Sequence, residues 1–146
     1  MGKKRIITKG ESDIQATGGG TVAAPKKSTK LQVVNGVAHI SVSYNNTLIG
    51  ISDLQGNIVA WSSAGLLGFR GTKKSTPYAA GMVAKDVVEK ASKYGLANLK
   101  IVVRGIGPAR EAAVRSLAGT GLHITAIMDE TPVAHNGVKS PKPRRV

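Results

Sequence analysis

The 146 residues contain no cysteine, so neither a disulfide framework nor a thiolate metal site can be part of the design. Aromatic residues are scarce: one Trp, one Phe and three Tyr. Tyr44, Trp61, Phe69, Tyr78 and Tyr94 are dispersed along the chain, whereas a stacking platform for unpaired bases wants several on one sheet face. That favours binding through phosphates and shape. No apolar run approaches the roughly 20 residues of a membrane span, and the N-terminus lacks the apolar centre of a signal peptide. A cytosolic chain with no membrane partner is expected. His39, His123 and His135 are too scattered for a ligand cluster, so neither a metal nor any other cofactor is expected.

Cations are in excess, with 21 Lys and Arg against eight acids, a formal charge of +13 and a pI near 10.4. Such a balance points first to nucleic acid and next to an anionic membrane surface. The ends carry most of it. Residues 1–34 hold Lys3-Lys4-Arg5, a triple glycine at 18–20 and Lys26-Lys27, with few large apolar side chains, and read as a basic, flexible extension. Glu11, Asp13 and the glycines spoil the amphipathic helix of a transit peptide. Residues 131–146 hold four cations, three prolines and no acid, and read as a basic tail that only a polyanion would order. Residues 35–130 remain for one globular α/β domain.

Within that domain Ala38, Ile40, Val42 and Tyr44 alternate with Val37, His39, Ser41 and Ser43, the pattern of a strand with one buried face. Asn45-Asn46, able to take left-handed backbone, turn the chain into a strand around Leu48–Ile51. The turn at residues 53–57 leads to a third strand, Ile58–Trp61. Short links favour an antiparallel meander. A long loop, residues 62–75, precedes a helix that starts with Thr76 as cap and Pro77 at its first position and stops at Gly95. Its expected core stripe is Tyr78, Ala79, Met82, Val83, Val87, Ala91 and Tyr94. The apolar run Leu99–Val103 reads as a central strand covered on both faces. A helix with Ala112, Ala113, Val114 and Leu117 follows, then a last strand with Leu122, Ile124, Ala126 and Met128 on one face. Two helical crossovers make the last two strands parallel. The expected fold is a mixed five-stranded sheet with helices packed on it.

Two junctions invite phosphate. Arg70, Lys73, Lys74 and the Ser75 hydroxyl precede the free N–H groups of the first helix. Arg104 and Arg110 flank the Gly105–Pro108 loop, with Arg115 about a turn and a half further on; here a tight turn with surface arginines is an equal alternative. Two glycines without a third exclude a dinucleotide fingerprint. Catalysis is poorly supported. Asp86 and Glu89 sit beside Lys85 and Lys90 on a helix, Asp53 lies in a turn, and adjacent Asp129 and Glu130 point to opposite faces of a strand. The remaining alternatives are a structure-specific RNA nuclease and a DNA-architectural protein.

Six blocks, in order over residues 35–146, resemble the family of the eleventh protein of the bacterial small ribosomal subunit. They are Gly36-Val-Ala-His-Ile, Tyr44-Asn-Asn-Thr, Asp53-Leu-Gln-Gly-Asn, Gly68-Phe-Arg-Gly-Thr-Lys-Lys-Ser-Thr-Pro-Tyr-Ala-Ala, Gly107-Pro-Ala-Arg-Glu-Ala-Ala-Val-Arg-Ser-Leu and Asp129-Glu-Thr-Pro-Val-Ala-His-Asn-Gly. The resemblance implies a ribonuclease-H-like fold without catalysis. It also implies a place on the subunit platform, near the messenger RNA exit path, with ribosomal RNA and neighbouring small-subunit proteins as partners. The family's Gly-Pro-Gly-x-Gly-Arg loop reads Gly105-Ile-Gly-Pro-Ala-Arg110 here, and the tail is less basic than usual. Expected RNA contacts are Asn45, Asn46, Arg70, Lys73, Lys74, Ser75, Arg104, Arg110 and Arg115 from the body, and His135, Asn136, Lys139, Lys142, Arg144 and Arg145 from the tail.

Overall fold

The structure, a computed structural model, describes residues 32–142. Period-two apolarity gives β1 (Asn35–Val42), which buries Ala38, Ile40 and Val42 and exposes His39 and Ser41. The turn that follows forms without left-handed backbone at Asn45 or Asn46. Instead the Ser43 hydroxyl accepts the N–H groups of Asn45 at 3.3 Å and Asn46 at 3.0 Å, so a side chain supplies what φ inversion would have. β2 (Thr47–Ser52) and β3 (Ile58–Ser63) are joined by a turn in which Asp53 Oδ1 accepts from the N–H groups of Gln55 and Asn57. β3 runs two residues past Trp61 because Ser62 and Ser63 still pair with Ile49 and Leu48.

The sheet order is β3-β2-β1-β4-β5, with β4 (Asn98–Gly105) and β5 (His123–Asp129). The first three strands form the expected antiparallel meander, β4 lies parallel to β1, and β5 parallel to β4. Helices α1 (Pro77–Ser92) and α2 (Ala109–Ala118) pack against each other, and both bury their stripes in the cluster built on Ala38, Ile40, Ile49, Ile51, Leu99, Ile101 and Val103. Each fully buried Ile or Leu there contributes about 1.5–3 kcal/mol. Among the described residues the other sheet face has no helix over it. β4 is therefore covered on one face only, contrary to expectation, and Val102 is shielded by side chains of the flanking strands.

Three other details depart from the sequence reading. The buried stripe of α1 is Ala79, Ala80, Val83, Ala84, Val87 and Ala91, while Tyr78 and Met82 are exposed, so the helix presents small residues that let it sit close to the sheet. Close packing continues at Gly81, where an added Cβ would lie 3.2 Å from Ser116 Oγ on α2. In β5 a register shift opposite Leu99/Lys100 inserts Thr125. Ile124 stays on the core side, but Ala126 and Met128 then stand opposite Lys100 and Val102, on the open face. Ahead of β1, the Val33 N–H donates to Tyr94 O at 2.8 Å and Val33 packs on the core, so the body starts slightly before residue 35.

Because β1, β3, β4 and β5 all run the same way, their carboxyl ends share one end of the sheet. The Asn45-Asn46 turn, the loop carrying Arg70, Lys73 and Lys74, the β4–α2 loop and the root of the tail all leave from it.

Candidate nucleic-acid interface

After β3 the chain folds back on itself, with the Phe69 N–H donating to Ala64 O at 3.1 Å. Phe69 packs on the core and edge-on to Tyr78, with ring centroids 6.1 Å apart. That anchor holds the next residues outward. Arg70 is extended, and Gly71–Ser75 form a 3-10 helix that leads into α1. Arg70 and Lys73 are exposed and Lys74 half-buried, and among the described residues none of them pairs with a carboxylate. The Thr76 hydroxyl accepts the Ala79 N–H at 3.3 Å, capping α1 as expected, and the first turn of α1 holds no acid. Ser75 behaves differently from expectation: it is buried and its hydroxyl donates to Thr72 O at 3.2 Å. It shapes the loop and does not present itself to a ligand. Three cations ahead of the positive end of a 16-residue helix remain, a suitable place for phosphate.

The second junction is neutralised from within. Arg104 donates to Glu130 Oε2 at 2.5 Å, Arg110 forms an ion pair with Asp129, and Arg115 donates to Glu111 at 3.1 Å. Arg110 also donates to Gly105 O at 2.9 Å and to Thr131 Oγ1 at 3.2 Å. The glycines serve packing: a Cβ on Gly105, whose φ is +93°, would sit 2.0 Å from Val42 O, and one on Gly107 would sit 2.8 Å from Val42 Cγ1. The loop is thus a tight strand-to-helix turn pressed on the end of β1. Of the equal alternatives, this is the one the geometry favours. Arg110 becomes a brace, while the more exposed Arg104 and Arg115 keep donors that an RNA phosphate can share.

At the root of the tail, the Thr131 hydroxyl donates to Asp129 Oδ1 at 2.6 Å and accepts from the Gly105 N–H and from Arg110, both at 3.2 Å. The Thr131 hydroxyl and N–H, with Arg110 beside them, hold the Asp129 carboxyl down at about 2. Arg104 likewise lowers Glu130. Thr131 therefore belongs to the body, and the free tail begins after it. From residue 132 to 142 every side chain is exposed. Asn136 has φ +55°, the one positive φ at a non-glycine among the described residues, and turns the chain beside His135. Lys139 and Lys142 extend beyond it, while Arg144 and Arg145 lie outside the described residues. Asn45 is exposed at the same end of the sheet, and Asn46 Oδ1 is buried without a hydrogen-bond partner among the described residues.

Sequence reasoning saw His39 on the polar face of β1 but not the groove that the open sheet face forms around it. His39 Nε2 lies 3.0 Å from Ser52 Oγ there, and Trp61, 52% exposed, shares a groove of about 460 Å³ with His39, Leu48, Gly50, Ile58 and Arg104. Cross-strand alternation places these side chains together, but only once strand order is known. Among the described residues no three His, Asp or Glu side chains converge as a metal site. Asp53 is committed to its turn, and Asp86, on α1, accepts from Ser62 at 2.5 Å and Lys90 at 2.6 Å.

The protein is thus of the mixed α/β class, with its cation-bearing loops gathered at one end of the sheet. The family model described as ribosomal protein S11 matches residues 36–145, and the chain belongs to that family. It is accordingly a structural protein of the small ribosomal subunit, a ribonucleoprotein component of translation that binds ribosomal RNA, and not an enzyme. Its partners are ribosomal RNA and other ribosomal proteins. Among the described residues no helix is long and apolar enough to cross a membrane.

Proposed function

We propose that the chain holds folded ribosomal RNA on the platform of the small subunit, beside the messenger RNA exit path, through the carboxyl end of its sheet. Arg70, Lys73 and Lys74 grip phosphate at the start of α1, with Asn45, Asn46, Arg104 and Arg115 around them. The tail, from His135 and Asn136 through Lys139, Lys142, Arg144 and Arg145, lies along an RNA groove. Ser75 and Arg110 act behind this surface as supports. The observation that carries the reading is the convergence, at one end of the sheet, of the tail root and of cations that pair with no carboxylate among the described residues. A ribonuclease-H-like label suits the order β3-β2-β1-β4-β5 with three leading antiparallel strands, and the cytoplasm suits a cysteine-free ribosomal protein.

Affinity for small-subunit ribosomal RNA, measured against salt, tests the reading. Each phosphate-bound cation contributes about one unit to the log–log slope. Replacing Arg70, Lys73 and Lys74 by Ala lowers the slope by about three and weakens binding at least tenfold. An unchanged slope would overturn the assignment, and equal affinity for duplex DNA in competition would point to an architectural DNA protein instead.

A further inference from the structure

The open sheet face carries an arrangement that phosphate binding does not use. Register places Trp61, Gly50, His39, Val102 and Met128 side by side across all five strands. Gly50 has no side chain and, though the glycine itself is buried, its added Cβ would meet nothing within 4 Å, so a narrow cleft lies over β2 between Trp61 and His39. Strands two apart are separated by about 9.6 Å, which leaves room for one inserted group between these walls. Leu48 and Ile58 give the groove apolar sides, and Ser41, His39 and Arg104 give it polar edges. Lys100, on the same face, joins His39 and Arg104 as a basic rim, and among the described residues the carboxylate close by is Glu130, already paired with Arg104. Flat apolar faces, polar edges and an anionic link are the properties of a nucleotide. The groove also runs from Trp61 toward Arg104, at the carboxyl end where the phosphate-binding loops gather.

We infer that the slot over Gly50 seats a single unpaired nucleobase against the Trp61 indole, with Lys100 and Arg104 drawing its phosphates. This rests on the reading of the chain as a binder of folded RNA and adds a contact to an unpaired base. An apolar side chain of a neighbouring protein is the competing occupant, and it would have no use for the basic rim.

Trp61 is the chain's one tryptophan, so its fluorescence reports on the slot directly. The full-length protein is titrated with an oligoadenylate of about eight nucleotides, and separately with a fully paired RNA hairpin. The expected result is strong quenching by oligoadenylate and little by the hairpin. Gly50→Val, which fills the slot at a position with open space and ordinary strand backbone, removes the quenching and weakens oligoadenylate binding about tenfold, leaving hairpin affinity intact. Should Gly50→Val fail to fold, Trp61→Leu keeps the groove apolar, and anisotropy of a labelled oligoadenylate reads the same loss. The Arg70, Lys73 and Lys74 triple Ala variant weakens both RNAs but keeps the depth of quenching at saturation. Binding of oligoadenylate without quenching, or a Gly50→Val protein that quenches normally, overturns the inference and leaves the phosphate-binding reading standing. Failure of both RNAs and of ribosomal RNA to bind overturns both.

Discussion

At the scale of single residues, Thr131 does more than its position at the start of a basic tail suggests. One hydroxyl links β5, the β4–α2 loop and Arg110, so three separately encoded pieces depend on it. Thr131→Val keeps the shape and removes those bonds; the cost is about 1 kcal/mol, with the Gly105 N–H losing its partner. The linked carboxylate gives this knot a pH dependence. Asp129 is depressed from 3.8 to about 2 in the folded state, so its contribution is complete above pH 4 and fades as the pH falls through about 2. Denaturant unfolding of the wild type and Asp129→Asn from pH 6 down to pH 2 checks both points. The stability gap between the two proteins is expected to narrow below pH 4, and Thr131→Val is expected to shrink it at every pH.

At the scale of elements, the first strands were legible because their signals are local: β1 follows from which side chains alternate, β2 and β3 from short apolar runs between turn residues, and the Thr76-Pro77 start of α1 from capping chemistry. Errors arose where long-range geometry decides. Tyr78 and Met82 have core chemistry, yet the close approach of α1 to the sheet admits alanines instead. The β5 alternation is broken by one inserted residue, which no window of the sequence reveals. The arginines around the β4–α2 junction read as a phosphate site because Asp129 and Glu130, which neutralise two of them, stand about 20 or more residues away in sequence. The glycines of that loop answer to the end of β1 and the residue after it, Val42 and Ser43, far back in the sequence. Gly105→Ala is expected to destabilise by roughly 3 kcal/mol or more, since both the positive φ and the Val42 carbonyl oppose a Cβ. Thermal melts should show a midpoint lowered by about 10 °C or more, whereas Gly121→Ala, equally left-handed but facing open space, costs about 1 kcal/mol.

At the scale of the whole molecule, stability and charge are kept apart. The core lies between α1, α2 and one sheet face, while ion pairs within the body absorb Lys90, Arg104, Arg110 and Arg115. Among the described residues, what is left over for a polyanion is Arg70, Lys73 and Lys74 in one loop, Lys100 on the open sheet face, Lys139 and Lys142 in the tail, and Lys85 and Lys93 along α1 and at its end. This separation makes the tail removable. Deleting residues 138–146 takes Lys139, Lys142, Arg144 and Arg145 from a formal +13, leaving +9; the described part of that segment, 138–142, is exposed throughout, and Thr131 keeps its bonds. The truncated protein is expected to unfold within about 0.5 kcal/mol of the full chain. Its log–log salt slope for ribosomal RNA falls by about three to four units, and its incorporation into reconstituted small subunits drops accordingly. Loss of folding would mean that the tail packs on the body; unchanged incorporation would mean that the loop at 70–74 carries the RNA contact alone.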